Sequence, residues 1–270
     1  MEYINVFGET VPVLGYGTWQ IKGEFCTKAV KDALKLGYRH IDTAQRYKNE
    51  ENVGKAIDES DVKRDEIFLT TKVWRSNLSY EDVLVTTKES LKKLKTEYVN
   101  LLLIHWPNDE IEISETLKAM QELKEDEKIK HIGVSNFTLG LLKEAQKKSE
   151  EKIFCNQVEY HPFILHNELL QYCQENNIIL TAYSPLARGK VTENELLKKI
   201  GQKYDKTPAQ VSLRYLIQQD MVCAIPKASN PKHRKENIKI FDFTLTPEEM
   251  ERISKLSDQK KLIQPSFSPW

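Results

Sequence analysis

Short apolar runs alternate with longer charged segments along the whole chain. The runs are rich in Ile, Val and Leu, and those at 101–104 and 178–180 are apolar without alternation, which is typical of parallel strands buried on both faces. Parallel strands need crossover connections, and the charged segments are long enough to supply them. The pattern predicts eight strands, near residues 14–18, 39–43, 67–72, 98–106, 130–135, 153–160, 178–183 and 222–226.

The charged segments show helical periodicity. Apolar residues in 26–34 recur at i, i+3, i+4, i+7 and i+8, and Gly37 follows as a C-terminal stop. Residues 113–120 repeat apolar positions at a similar spacing. Residues 207–210 and 246–249 each begin with a Thr cap, followed by Pro at the first helical position and Gln or Glu at the third, which predicts a helix start.

Roughly eight strand-helix units in 270 residues are the signature of a TIM barrel. We predict an α/β fold, a (β/α)8 barrel of one domain over residues 1–270, with an N-terminal β-hairpin at 6–12 and two extra helices. The main alternative is a doubly wound open sheet, which usually carries a G-x-G-x-x-G turn after its first strand. The turn that begins Gly15-Tyr16-Gly17 lacks the third glycine, so the sequence favours the barrel.

Charge and composition exclude several functions. Lys+Arg and Asp+Glu are both 40, so a zero net charge predicts no nucleic-acid or strongly charged partner. Charged residues make up 30%, above the usual ~25%, which fits solvated Lys-rich helix faces better than ion-pair networks for heat tolerance. No apolar run reaches the ~18 residues of a membrane span, and the N-terminus lacks signal-peptide features. The four cysteines match no zinc motif, and we expect free thiols in a cytoplasmic protein.

Four polar side chains stand at the ends of three consecutive predicted strands. Asp42 and Tyr47 follow the second run, Lys72 closes the third and His105 closes the fourth. In a parallel barrel these ends meet at one face, so a carboxylate, a phenol, an ammonium and an imidazole are expected to converge. Such a set of side chains can donate a proton. The sequence contains no His/Cys/carboxylate cluster that would predict a metal site.

Further polar motifs end the other predicted strands. They are Gly17-Thr18-Trp19, Gly133-Val134-Ser135-Asn136-Phe137, Asn156-Gln157-Val158-Glu159-Tyr160-His161-Pro162, Ala182-Tyr183-Ser184-Pro185-Leu186 and Ile225-Pro226-Lys227. In this order the motifs closely resemble the aldo-keto reductase family, from Gly15 to about Glu249, and within it the compact microbial type similar to 2,5-diketo-gluconate reductases. The resemblance implies NAD(P)H-dependent reduction of aldehydes or ketones to alcohols, by hydride transfer from nicotinamide C4.

The resemblance also implies a role for each of the four convergent residues. Tyr47 would be the proton donor, and the positive charge of Lys72 would lower its pKa from the ordinary ~10. Asp42 would pair with Lys72 and hold it. His105 would orient the substrate carbonyl, most usefully as a neutral imidazole.

A nicotinamide site follows from the same resemblance. Tyr183 would stack on the nicotinamide ring, Ser135, Asn136 and Gln157 would bind its carboxamide, and Arg188 is a candidate for a phosphate contact. The full set of candidate cofactor residues is Gly17, Thr18, Trp19, Asp42, Ser135, Asn136, Gln157, Tyr183, Ser184, Leu186, Arg188, Lys227, Ala228, Ser229, His233, Glu236 and Asn237.

The adenosine end departs from the family pattern. Members that use NADPH carry a Lys after Ile-Pro and an Arg six positions later, both facing the 2′-phosphate. Lys227 is present, but His233 occupies the Arg position. Arg234 is the next residue, and on a helix its side chain would point ~100° away from that of His233. A neutral His is a poor substitute for a guanidinium. We therefore predict NADP(H) as cofactor, with relaxed discrimination against NAD(H).

Aromatic residues are predicted to form the carbonyl pocket. The tryptophans at the strand ends would supply an apolar wall, and Phe267 in the short C-terminal tail is a further candidate, although a short tail predicts an open pocket. The candidate substrate-binding residues are Trp19, Tyr47, Trp74, His105, Trp106 and Trp270. The expected partner is a small-molecule carbonyl compound, with no nucleic acid or membrane partner, and the protein is expected to be a monomer.

Two other functions remain open at this point. The first is a non-catalytic NADP(H)-binding protein with a redox-sensing or structural role on the same barrel, against which the intact set of four residues argues. The second is a Schiff-base aldolase that uses Lys72 as its nucleophile. Activity without a cofactor, with a Schiff base that borohydride traps, would support the aldolase.

Overall fold

Eight parallel strands form one curled sheet in the computed structural model, which describes residues 1–259 and 261–270. An N-terminal hairpin consists of β1 (Tyr3–Val6) and β2 (Glu9–Pro12). The sheet contains β3 (Tyr16–Gly17), β4 (His40–Asp42), β5 (Phe68–Val73), β6 (Val99–Ile104), β7 (Ile129–Ser135), β8 (Ile153–Glu159), β9 (Ile179–Tyr183) and β10 (Val222–Ala224). Each overlaps a predicted run, and every residue of β5, β6 and β8 is buried, as expected for strands covered on both faces.

The sheet closes between its first and last strands. Leu14 bridges Ala224 in parallel, and the amide of Gly17 donates to the carbonyl of Pro226 at 3.1 Å. A Cβ on Gly17 would lie 2.8 Å from the carbonyl oxygen of Ile225, so glycine is needed for this approach. We call this junction the seam. It confirms the barrel and rules out the open sheet.

Ten α-helices of the described chain complete the fold. The helices that follow the barrel strands are α1 (Gly23–Lys35), α2 (Glu50–Asp58), α3 (Tyr80–Leu94), α4 (Ile113–Glu125), α5 (Leu139–Lys148), α6 (Asn167–Glu175), α8 (Pro208–Ile217) and α9 (Pro231–Asn237). The two extra helices are α7 (Glu195–Tyr204) and α10 (Pro247–Ser254), which confirms that prediction. Thr207 and Thr246 each form a full capping box, and Gly37 adopts a φ of 100° just after α1.

The core has two parts. The larger lies between the sheet and the surrounding helices. The smaller lies inside the barrel beneath the hairpin, where Val6 and Val11 pack with Phe68, Leu101 and Phe154. The predicted hairpin is therefore confirmed, and it buries the apolar residues at the bottom of the barrel.

His40 makes this bottom sensitive to acid. It is buried on β4, with Nδ1 3.3 Å from the carbonyl oxygen of Pro12, and burial lowers its pKa to about 4. In the unfolded chain a His titrates near ~6.5, so between these values the unfolded state binds more protons than the native state. Stability is thus full above ~pH 6.5 and declines as the pH falls toward 4, by about 3 kcal/mol for this group alone.

Urea unfolding of His40→Asn tests this assignment. We expect the free energy of unfolding to fall less steeply between pH 7 and pH 4.5 in this variant than in the wild type. His166, whose pKa burial also lowers to about 4, sustains part of the slope. The exposed His233→Asn serves as the matched control. Equal slopes in His40→Asn and wild type would contradict the assignment.

Neither a membrane-spanning helix nor a metal-ligand cluster is present in residues 1–259 and 261–270. None of the helices is long and apolar enough to cross a bilayer. No group of three or more His, Cys, Asp or Glu side chains lies where it could hold a metal ion. The four cysteines are buried and free, at Cys26, Cys155, Cys173 and Cys223.

Candidate active site

The ends of β4, β5 and β6 bring the four predicted polar residues together. Asp42 is the last residue of β4, Lys72 lies near the end of β5 and His105 follows β6. Tyr47 belongs to a short 3-10 turn after β4. Asp42, Tyr47 and His105 line a cavity of about 430 Å³ at this face, which we call the first cavity. Lys72 lies behind its wall, with a fully buried side chain.

Lys72 joins Asp42 to Tyr47. Its Nζ donates to Asp42 Oδ1 at 2.6 Å, to the carbonyl oxygen of Thr43 at 2.9 Å and to the hydroxyl of Tyr47 at 3.4 Å. An ammonium group has three donors, so these three acceptors fix its orientation. Gln157 Nε2 donates to the other carboxylate oxygen of Asp42 at 2.8 Å. The result is a buried, hydrogen-bonded ion pair next to the phenol.

The electrostatics of Tyr47 correct one expectation from the sequence. Burial, reinforced by the negative charge of Asp42, raises the pKa of Tyr47 well above its ordinary value, whereas the sequence predicted that Lys72 lowers it. The carboxylate of Asp42 lies 2.6 Å from the ammonium of Lys72 and offsets part of its charge, so the effect of Lys72 on the phenol does not overcome burial. The phenol is therefore protonated at neutral pH, which is the form that a proton donor requires.

His105 is held as a neutral imidazole. Burial, with the positive charges of Lys72 and Arg46, lowers its pKa well below the ordinary value. The ring packs edge-on against Tyr47, with centroids 5.6 Å apart, and against Trp74 at 5.2 Å. Its Nδ1 is buried and makes no hydrogen bond with the described residues, so Nε2 is the nitrogen that can meet a ligand.

A polar network at the ends of β7, β8 and β9 forms the base of the first cavity. The hydroxyl of Tyr183 donates to Asn136 Oδ1 at 2.8 Å, and Ser135 Oγ donates to the carbonyl oxygen of Gln157 at 2.8 Å. Asn136 Nδ2 donates to the carbonyl oxygen of His105 at 2.9 Å. These residues, predicted to bind a nicotinamide, all line the first cavity, and Gln157 connects them to Asp42.

A second cavity of about 740 Å³ opens beside the first. The two cavities share the lining residues Trp19, Ser184, Arg188 and Lys227. The other predicted cofactor residues in the lining of the second cavity are Leu186, Ala228, His233, Glu236 and Asn237. Gly17 lines the first cavity, whereas Thr18 and Ser229 lie outside both linings. Together the cavities make an extended site with amides at one end and cationic side chains at the other, which fits a dinucleotide.

Arg234 does not face this site. It is buried, its Nε donates to Asp32 Oδ2 at 2.7 Å, and its Nη1 donates to the carbonyl oxygens of Ala228 and Ser229 at 3.0 and 2.7 Å. The helical rotation inferred from the sequence therefore turns this guanidinium away from the second cavity. Lys232, which the sequence did not single out, lines that cavity beside His233.

Comparison with known proteins identifies the family to which this chain belongs. The family model described as the Aldo/keto reductase family matches residues 13–258. The chain belongs to the aldo-keto reductase family. It is 43% identical over 256 residues to glyoxal reductase of Bacillus subtilis (strain 168), covering 94% of this chain and 92% of that protein. It is 38% identical over 258 residues to methylglyoxal reductase DkgB of Escherichia coli O157:H7, covering 94% and 96% of the two chains.

Solved structures agree with this assignment. A protein provisionally assigned as 2,5-diketo-D-gluconic acid reductase B superposes with a TM-score of 0.97 at 40% identity, covering 99% of this chain and 96% of that one. MGS-M4, an aldo-keto reductase from a deep-sea metagenome library, gives a TM-score of 0.94 at 39% identity and 97% coverage of both chains. The predicted family and barrel are confirmed. This aldo-keto reductase is an oxidoreductase, and its reductase relatives imply a small-molecule carbonyl substrate.

The C-terminal tail of this aldo-keto reductase forms one wall of the first cavity. Phe267 packs edge-on against Trp74 and Trp106, with centroids 6.0 and 5.5 Å away. The tail residues that line the cavity are Leu262, Ile263, Gln264, Pro265 and Phe267. The short tail therefore covers part of the pocket, in contrast to the predicted open pocket.

Trp270 lies outside that lining, in contrast to its predicted place in the substrate pocket. Its indole Nε1 donates to the carbonyl oxygen of Asn136 at 3.1 Å, and its ring packs on His166 with centroids 4.7 Å apart. The hydrogen bond fixes Trp270 against the outer side of Asn136. It fastens the end of the tail without facing the cavity.

Glu159 holds the other end of the tail, a role that its place in the 156–162 motif did not predict. Its buried carboxylate accepts hydrogen bonds from the backbone amides of Leu262 at 2.9 Å and Ile263 at 3.1 Å. His161 Nε2 lies 3.2 Å from the same carboxylate, and these contacts outweigh burial and lower the pKa of Glu159. A charged carboxylate in this position is a strong acceptor that positions the wall of the pocket.

Proposed function

We propose that this protein reduces aldehydes or ketones to alcohols with NADPH. The observation that carries the proposal is the buried Asp42–Lys72 pair, which contacts a protonated Tyr47 in the wall of a cavity shared with His105. Proton donation is what a carbonyl oxygen needs as negative charge develops on it. The adjoining second cavity supplies room for a dinucleotide next to this donor.

Each residue has a distinct proposed task. Ser135, Asn136, Gln157 and Tyr183 would hold a dihydronicotinamide, which when bound would supply a hydride to the carbonyl carbon. Tyr47 gives its proton to the carbonyl oxygen, and an alkoxide is a stronger base than a phenolate, so the transfer is favourable even from a phenol of raised pKa. His105 donates a hydrogen bond from Nε2 and orients the carbonyl. Lys72 stabilises the phenolate that remains, and Asp42 keeps Lys72 in place.

A panel of carbonyl compounds, followed by NADPH oxidation at 340 nm, tests the reaction. Glyoxal and methylglyoxal belong in the panel because relatives are named for them. Turnover of at least one compound is expected. Tight NADPH binding without turnover on any compound would favour the non-catalytic NADP(H)-binding alternative. The aldolase alternative is disfavoured because the Lys72 side chain is fully buried outside the cavity lining.

We further propose NADPH as the better cofactor, with NADH also accepted. Lys227 and Lys232 offer positive charge in the second cavity, but His233 stands where NADPH-dependent members carry Arg. We expect His233→Arg to raise the NADPH-over-NADH ratio of kcat/KM by about tenfold, because a charged hydrogen bond to phosphate is added. Lys235→Arg, on the same helix but outside the lining, should leave the ratio unchanged. A wild-type preference for NADH of tenfold or more would refute the proposal.

We also propose that the protein is a cytoplasmic monomer. The eight-stranded sheet of the described residues closes on itself within the chain and leaves no open edge for a second copy, which supports a monomer with one domain over residues 1–270. Four buried free thiols support a reducing cytoplasm. Sedimentation equilibrium checks the monomer directly.

A further inference from the structure

Arg46 is a cation at the first cavity that has no counterion among the residues that the structure describes. Its guanidinium carbon lies 5.3 Å from the ring centroid of Trp74, and no carboxylate of the described chain lies within ion-pair distance of it. The nearby Arg75 differs, because its guanidinium donates to Asn108 Oδ1 at 3.2 Å and covers the ring of Phe267. A guanidinium that stacks on an aromatic ring keeps its donors free for a planar anion.

The other charged residues that line the first cavity are either paired already or also line the second cavity. The charged residues of the described cavity lining are Asp42, Arg46, Arg188 and Lys227. Asp42 is bonded to Lys72, while Arg188 and Lys227 also line the second cavity, where the phosphates of a dinucleotide would meet them. Arg46 alone among these cations lines only the first cavity. It is therefore the cation available to a substrate.

The separation between Arg46 and His105 determines which substrates can reach both residues. The ring of Trp74 contacts the guanidinium of Arg46 on its face and packs against His105 at 5.2 Å. The charge of Arg46 reaches His105, where it helps to lower the pKa of the imidazole. Arg46 thus lies about one aromatic ring away from the group that orients the carbonyl.

We infer that Arg46 binds a carboxylate on the substrate, so that this site prefers carbonyl compounds whose carboxylate is separated from the carbonyl by a ring or a short chain. The inference rests on the proposed reductase function and names its substrate class. A carboxylate matches the planar, bidentate donor geometry of a guanidinium.

A matched pair of aldehydes tests the inference. The probes are 4-carboxybenzaldehyde and its methyl ester, which share the aromatic aldehyde and differ in charge. The measured quantity is the ratio of kcat/KM for the acid over the ester, with NADPH, in wild type, Arg46→Met and Arg46→Glu. Differences in intrinsic reactivity of the two aldehydes cancel between variants. Arg252→Met, at an exposed arginine on α10 that lies outside both linings, controls for net charge.

We expect the ratio to fall by about tenfold or more in Arg46→Met, further in Arg46→Glu, and not at all in Arg252→Met. Added salt should reduce the wild-type ratio because Arg46 is exposed. An unchanged ratio in Arg46→Met, with both aldehydes reduced by wild type, would overturn the inference and leave the reductase function intact. Reduction of neither aldehyde nor any other carbonyl by wild type would overturn both. Arg46→Gln repeats the test should Arg46→Met fail to fold.

Discussion

Tyr47→Phe is expected to lower kcat for carbonyl reduction by about 10²–10⁴-fold, the usual contribution of a positioned acid. The variant keeps the aromatic ring that packs against His105 and loses only the hydroxyl. Lys72 retains its bonds to Asp42 and to the carbonyl oxygen of Thr43, so the fold should survive. Steady-state kinetics, with NADPH binding followed by protein fluorescence, measure both effects.

The buried Tyr215 provides the control for Tyr47→Phe. Tyr215 lies on α8 outside both cavities, and Tyr215→Phe should retain turnover. Because burial raises the pKa of Tyr47 well above ordinary values, wild-type reduction should stay constant through neutral pH and decline only under strongly alkaline conditions. Retention of more than a tenth of wild-type kcat in Tyr47→Phe would mean that another group donates the proton.

Lys72→Met is expected to destabilise the protein by about 3–5 kcal/mol, since it leaves the carboxylate of Asp42 buried without its counterion. The two groups are 2.6 Å apart and their side chains are 0% and 2% exposed, so bulk water compensates little for the lost partner. Turnover should fall as well, because the positive charge next to the phenol is gone. Urea unfolding, with midpoint and slope compared to wild type, measures the stability.

The double variant Asp42→Asn with Lys72→Met separates the two effects. Removing both charges should recover a large part of the stability, because no unpaired buried charge remains, but turnover should not return. Lys31→Met, which breaks the half-exposed pair of Lys31 and Glu59 at 3.1 Å, should barely move the unfolding midpoint. Additive losses of stability in the double variant would show that the pair is not coupled.

Most of the fold could be predicted from local sequence patterns. The strands could be predicted because parallel strands are uninterrupted apolar runs, and the helix starts at Thr207 and Thr246 could be predicted because a capping box lies within four residues. The convergence of Asp42, Lys72 and His105 followed from one rule, that barrel strands end at a common face. Such rules need no knowledge of distant contacts.

Features that depend on contacts between distant residues could not be predicted from the sequence. Arg46 is next to Tyr47 in the chain, but its importance comes from Trp74, which belongs to another loop. Glu159 belongs to a quoted motif, yet its partners lie about a hundred residues later in the tail. The raised pKa of Tyr47 comes from burial, which is a property of the assembled pocket. Residue type and spacing predict none of these.

The seam links dinucleotide binding to closure of the barrel. Leu14 and Ala224 join nearly opposite ends of the chain, so their contact has a large loop-closure cost and cannot form on the ribosome until most of the chain has emerged. Trp19 and Lys227, just beyond the two sides of the seam, both line the second cavity. A dinucleotide held between them would favour the closed barrel by about 2.7 kcal/mol at a hundred times its Kd. Newly made protein should therefore resist proteolysis better where the dinucleotide is abundant.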